Sequence, residues 1–236
     1  IRNHTFEHVQ FGDFCKELFK MDLQCKFSKS KSLLPKLIET GTFVPKANTP
    51  ITTNRLFEKI DSILTKEMAI VADIGDSLFG AADLKVHHKN HFLSPAFYTS
   101  MGSAIPGGLG VQVAMPDVRP IVIIGDGAFQ MACTELSTIV EHKLNPIVFV
   151  LNNKGYTTER FLLDGKFNDI RNWNYHEITK LIGGGTGCMV SQEQELEDAV
   201  KLALDSKSLF VINVTIGAKD ISQGLRRMTE ALAKRV

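Results

Sequence analysis

Two short apolar runs, each cut off by a small or polar motif, constrain this chain most. Ile121-Val122-Ile123-Ile124 runs into Gly125-Asp126-Gly127, and Ile147-Val148-Phe149-Val150-Leu151 runs into Asn152-Asn153. β-Rich apolar runs without alternation are the pattern of strands buried on both faces. The chain between Gly127 and the second run has room for one crossover helix, so the two strands are expected in a parallel βαβ unit. Ligands of such sheets bind at the carboxyl ends of the strands. Both motifs fall there, at one edge.

The residue types at that edge suit a metal-bound diphosphate. Asp126 offers a hard carboxylate oxygen, Asn153 a side-chain carbonyl oxygen and Gly155 a backbone oxygen. Magnesium takes about six oxygens and draws several from water and phosphate. Gly125 and Gly127 let the backbone approach an anion without a Cβ. A helix starting near Ala128 turns free N–H groups and a partial positive charge toward it.

A G-D-G alone is common in turns; G-D-G paired with Asn-Asn, each after a buried strand, is specific. The pair resembles the signature of the thiamine diphosphate (ThDP) enzymes. The continuation Gly155-Tyr156-Thr157-Thr158-Glu159-Arg160 is similar to the 2-oxo acid decarboxylases among them. The likeness runs from about Ile51 to the C-terminus. It implies an α/β fold, doubly wound, with a mostly parallel sheet and helices on both faces. It implies ThDP and Mg2+ as cofactors, with Asp126, Asn153 and Gly155 as metal ligands. Gly125, Gly127, Ala128, Tyr156, Thr157 and Thr158 then line the cofactor, and Glu159 is the catalytic carboxylate that relays protons at the reacting carbon. In a partly dry site its pKa is expected to rise; a first-turn carboxylate favoured by the helix dipole is the plainer reading.

The same likeness assigns polar contacts near the cofactor to Asp76 and Ser77, with a helix cap as the other reading of Asp76. It gives the Thr99 carbonyl to the aminopyrimidine ring and makes Met101 the apolar wedge that bends the cofactor; plain core packing also explains Met101. Related decarboxylases often have Gly and Ile at these two places. Met101 also fits a carboligase of the acetolactate synthase type, which stays open beside decarboxylation, as does a non-catalytic binding or assembly module. The implied partners are a 2-oxo acid and the pyrimidine-binding domain of a neighbouring subunit in a homodimer or homotetramer. The implied reaction is non-oxidative, releasing CO2 and an aldehyde. This chain is expected to be a C-terminal part of a longer enzyme and inactive alone.

The remaining segments read more plainly. Residues 1–48 are expected to be the tail of a preceding middle domain and a linker, with a helix over Val9–Leu18 and a basic, serine-rich stretch over Cys25–Ser32. Residues 49–236 are the cofactor domain. Thr52 or Thr53 caps its first helix, Ala69–Ala72 is its first strand, and Ser191–Gln194 is a capping box. Strand Leu209–Ile216 and helix Gln223–Val236 close it. His4 and His8 stand four apart without a third ligand, and His87, His88 and His91 read as a solvated loop. Gly183–Gly187 lacks the G-x-G-x-x-G spacing and reads as a helix stop and turn. The net charge of +1 points to neither nucleic acid nor membrane surface. Four cysteines without C-x-x-C spacing read as reduced thiols of a cytoplasmic protein.

Overall fold

The computed structural model describes residues 9–21 and 43–233. The His4/His8 pair and the Cys25–Ser32 stretch lie outside these residues. The chain divides into two units, Ile1–Ile38 and Glu39–Val236. In the first, α1 (Phe11–Lys20) starts two residues later than its apolar spacing suggests. Lys16–Asp13 and Lys20–Glu17 pair one turn apart along it.

The second unit is built on six parallel strands: β1 (Met68–Ala72), β2 (Phe92–Leu93), β3 (Arg119–Gly125), β4 (Ile147–Asn152), β5 (Thr186–Val190) and β6 (Phe210–Thr215). Their order is β2-β1-β3-β4-β6-β5. The expected neighbours β3 and β4 are adjacent, with Gly125 opposite Leu151 in register. Successive side chains of β3 point to opposite faces, so its apolar run feeds two cores. Ile121 and Ile123 join Leu56, Ile60, Phe149, Leu196 and Val200 on one face. Val122 and Ile124 join Ile105, Phe129, Leu136 and Val148 on the other. Helices α2 (Thr53–Ile63) and α9 (Glu193–Asp205) therefore cover one side. The other is covered by α4 (Ala104–Ala114), α5 (Asp126–Ala132) and α6 (Glu135–Glu141). The single expected crossover helix is two short ones, broken at Cys133-Thr134.

The chain runs from β1 outward to β2, then returns past β1 to β3. That reversal is a switch point, where loops on either side of β1 and β3 diverge and open a crevice. Short α3 (Asp76–Ala81) leaves β1 into it. Small residues let α4 lie close to the sheet, as expected: a Cβ at Gly108 would stand 2.7 Å from Val122 Cγ2. Thr52 caps α2, accepting from Arg55 N–H at 3.3 Å.

Several local expectations shift. The capping box sits one residue later, because Glu195, not Gln194, takes the N–H groups of Ser191 (2.7 Å) and Gln192 (3.1 Å). Glycine 183 (φ 71) does stop α8 (Ile178–Leu181), but β5 follows three residues later, a half-exposed edge strand with too few apolar residues to be seen in sequence. His91 is buried, its Nδ1 3.1 Å from the Met68 carbonyl, while His87 and His88 are exposed. Residues 43–48 belong to the second unit: Phe43 lies under the Arg55 guanidinium at 4.3 Å, and Lys46 N–H donates to Glu193.

Helix α10 (Gln223–Ala233) docks on α3. A Cβ on Gly224 would stand 2.1 Å from the Phe79 carbonyl oxygen, a backbone atom that cannot rotate away. Gly224→Ala is therefore expected to destabilise the second unit by about 2–3 kcal/mol, read as a lowered urea midpoint.

Candidate active site

The carboxyl ends of β1, β3 and β4 line an open cleft. Asp76, Ser77, Met101, Gly125, Asp126, Gly127, Ala128, Asn153, Gly155, Tyr156, Thr157, Thr158 and Glu159 all line it, together with Ile74, Gly75 and Leu151. Of the residues singled out in sequence, Thr99 alone stands outside the lining. It is exposed, in a left-handed conformation (φ 59), with its N–H on the Pro95 carbonyl at 2.7 Å.

Asp126 starts α5 and is almost fully buried. Its Oδ1 accepts the Gly127 N–H at 2.8 Å and its Oδ2 the Gly155 N–H at 3.1 Å, so one carboxylate links both motifs. Burial pushes its pKa up to about 6, against backbone N–H groups of Gly127, Gly155, Lys154 and Asn153 that pull it down. The Asn153 side chain is buried, and among the described residues its Oδ1 has no partner; the buried Ser77 Oγ is likewise unpaired among them. Unpaired buried acceptors are costly, and these two residues lie in the cleft lining, where a ligand can meet them. Gly127 and Gly155 leave no room for a Cβ, whereas Gly125 has open space around it. A Cβ on Gly127 would stand 2.5 Å from Tyr156 Cε1, and one on Gly155 (φ 145) would stand 2.1 Å from the Asn168 carbonyl oxygen.

This all-oxygen set fits a hard cation. Among the described residues no group of three or more His, Cys, Asp or Glu stands close enough to hold a metal. A cation here would complete its shell with oxygens of an anionic ligand and water, the habit of magnesium with diphosphate. The residues present thus fit a metal-bound diphosphate.

Asp76 is occupied otherwise. Its carboxylate accepts the Ser222 N–H at 3.0 Å and the Ser222 hydroxyl at 2.5 Å, and Ser222 Oγ accepts the Leu225 N–H at 3.0 Å. The aspartate thereby anchors the start of α10. Burial pushes it up to about 6, the Ser222 bonds opposing and Asp220 adding to the rise. Glu159 lies in the first turn of α7 (Thr157–Arg160) and is exposed. The dry surroundings expected around it are not built by these elements. Thr157 fixes that helix by donating to the Ala218 carbonyl at 3.1 Å.

Sequence reasoning passed over Asp73. It is fully buried at the end of β1 and accepts the N–H groups of Ile74 (3.0 Å), Gly102 (3.1 Å) and Ala104 (2.9 Å). It pins the loop that holds Met101 in the cleft. Its signal was an acid closing an apolar strand; its partners lie some thirty residues on.

The carboxyl shifts predict a pH dependence. Folded Asp76 and Asp126 hold their protons up to about pH 6, against an ordinary value of 3.8. Between these values the folded chain binds more protons than the unfolded one, so stability falls as pH rises through the window. Without ligand, the unfolding free energy at pH 7 should lie below that at pH 5 by roughly 1 kcal/mol for each group. Urea titrations at the two pH values measure it.

Residues 73–214 match the family described as thiamine pyrophosphate enzyme, C-terminal TPP binding domain. Pyruvate decarboxylase 4 of Arabidopsis thaliana is 33% identical over 227 residues, covering 94% of this chain and 38% of its own length. A probable pyruvate decarboxylase of Schizosaccharomyces pombe is 31% identical over 243 residues, 99% of this chain and 42% of its own. Pyruvate decarboxylase 2 of Oryza sativa subsp. japonica is 35% identical over 177 residues, 73% of this chain and 29% of its own. The chain spans about two fifths of the length of the first two relatives.

Proposed function

This chain belongs to the thiamine pyrophosphate enzymes and carries their C-terminal TPP binding domain, and from that premise we infer that it serves the non-oxidative decarboxylation of a 2-oxo acid to an aldehyde and CO2. The carrying observation is the buried Asn153 Oδ1, unpaired among the described residues, in the cleft that also holds Asp126. Asp126, Asn153 and the Gly155 carbonyl would hold Mg2+, and the backbone from Gly125 to Ala128 would meet the diphosphate. Ser77 donates to the cofactor, and Met101 supports it from the loop pinned by Asp73. When bound, ThDP supplies the electron sink that accepts the electron pair left as CO2 departs. Glu159, at the mouth of the cleft, holds and delivers the proton at the reacting carbon.

The exposure of Glu159 supports the need for a second surface. In this reading a pyrimidine-binding domain from a neighbouring subunit covers the cleft and dries it, in a homodimer or homotetramer. The free thiols of Cys133 and Cys188 suit a reducing compartment such as the cytoplasm. Among the described residues no helix is long and apolar enough to cross a membrane. The names of the relatives make pyruvate the first substrate to try. Thr158, a small polar wall of the cleft, also admits larger 2-oxo acids.

The test compares this chain with the longest polypeptide that carries it, under excess ThDP and Mg2+. Pyruvate, a branched 2-oxo acid, phenylpyruvate and indolepyruvate are assayed for aldehyde and CO2. Release by the longer polypeptide alone is expected. Binding of ThDP without aldehyde from any substrate contradicts the reading. A ligated hydroxyketone in place of free aldehyde would favour the carboligase, the reading that Met101 in the cleft supports.

A further inference from the structure

Arg160 closes the G-Y-T-T-E-R motif, and nothing assigned so far uses it. Its side chain is only 10% exposed, although it follows the exposed Glu159. Its Nη2 donates to Asp169 Oδ1 at 2.6 Å and reaches the carbonyls of Asn168 at 3.4 Å and Lys154 at 3.3 Å. Its Nη1 donates to Asp164 Oδ1 at 3.4 Å. A Cβ on Gly155 would stand 2.8 Å from Nη2, so the guanidinium lies against the backbone of the metal loop.

That loop needs holding. Lys154 (φ 63) is left-handed without being glycine, and Gly155 follows at φ 145. Non-glycine residues in that region cost of order 1 kcal/mol and persist only where neighbours over-determine them. The loop is braced from one side by the Tyr156 N–H on the Asn168 carbonyl at 2.9 Å and by the bridge of Gly155 to Asp169. Arg160 braces it from the helix that carries Glu159. A planar guanidinium with five fixed donors can join two carboxylates and two carbonyls at once; a lysine ammonium cannot match that fork.

We propose that Arg160 is a positioning residue that locks the metal loop, the Glu159 helix and the 164–169 segment into one unit, so that Mg2+ affinity and the placement of Glu159 are set together. The inference rests on the reading of the cleft as a ThDP and Mg2+ site. Loss of the clasp releases Gly155, whose carbonyl is a ligand, and lets Glu159 drift from the reacting carbon.

The experiment titrates Mg2+ into the longest polypeptide that carries this chain, at fixed ThDP, and follows ThDP binding by calorimetry. Arg160→Met should raise the half-saturating Mg2+ concentration about tenfold and lower kcat alongside. Arg160→Lys should recover only part of the loss. Asp169→Asn, at a 60% exposed side chain, should raise it about threefold and add little on top of Arg160→Met. A merely structural arginine would lower the unfolding temperature and leave the half-saturation point unmoved; that result in Arg160→Met or Asp169→Asn overturns the proposal, whatever happens to turnover. Asp169→Asn carries the test if Arg160→Met fails to fold. Absence of Mg2+-dependent ThDP binding in the unsubstituted protein removes the premise and the proposal with it.

Discussion

Asp126→Ala should abolish Mg2+-dependent binding of ThDP, with a loss of at least about a hundredfold in affinity. Removing groups that only support metal ligands already costs 10–100-fold, and Asp126 is the one charged ligand in the proposed set. Its loss also frees the Gly127 and Gly155 N–H groups that it accepts at 2.8 and 3.1 Å. The two motifs then lose their shared anchor. Asp126→Asn separates the effects: its amide oxygen can still accept from Gly127, while the charge is gone. It should bind almost as poorly as the alanine variant but unfold closer to the wild-type midpoint. Calorimetric titration with ThDP at saturating Mg2+ reads the affinity, and urea unfolding reads the fold. Binding within threefold of wild type in either variant would remove Asp126 from the site.

Glu159→Gln should behave in the opposite way, with binding kept and turnover lost. Among the described residues the Glu159 carboxylate makes no hydrogen bond, and it is exposed, so the isosteric amide leaves packing untouched. A positioned general acid contributes typically 10²–10⁴-fold to rate. The longest polypeptide carrying this chain should therefore lose about that factor in kcat, with ThDP affinity changed by less than about threefold. Single-turnover aldehyde release beside a ThDP titration makes the comparison. A kcat within fivefold of wild type would leave the carboxylate only its favourable place in the first turn of α7.

Much of the cleft lining was legible because its residues follow one another locally. Asp126, Asn153 and Gly155 follow directly on strands whose apolar runs announce themselves, and the strand ends must converge where the sheet order reverses. Gly127 and Gly155 were named for an anion's approach, whereas what excludes their Cβ atoms here is the Tyr156 ring and the Asn168 carbonyl, neighbours a sequence does not show. What stayed hidden depends on distant partners. Asp73 and Asp76 look alike in sequence, yet Asp73 turns to the Met101 loop while Asp76 turns to Ser222 at the far end of the chain. Edge strands β2 and β5 are short and half exposed, so they lack the apolar run that revealed β3 and β4. The buried His91 was misread because loops rich in Lys and His usually face water, and only the pairing of β1 with β2 brings its ring to the Met68 carbonyl. The exposure of Glu159 is a property of the surfaces around it, which a motif cannot report.

The most direct measurement is a crystal structure of the longest polypeptide carrying this chain, grown with ThDP and Mg2+. The account predicts a cation held by an Asp126 carboxylate oxygen, Asn153 Oδ1 and the Gly155 carbonyl at about 2.0–2.1 Å, with diphosphate oxygens completing the shell. A diphosphate bound away from this cleft, or an Asn153 side chain turned from the metal, would contradict it.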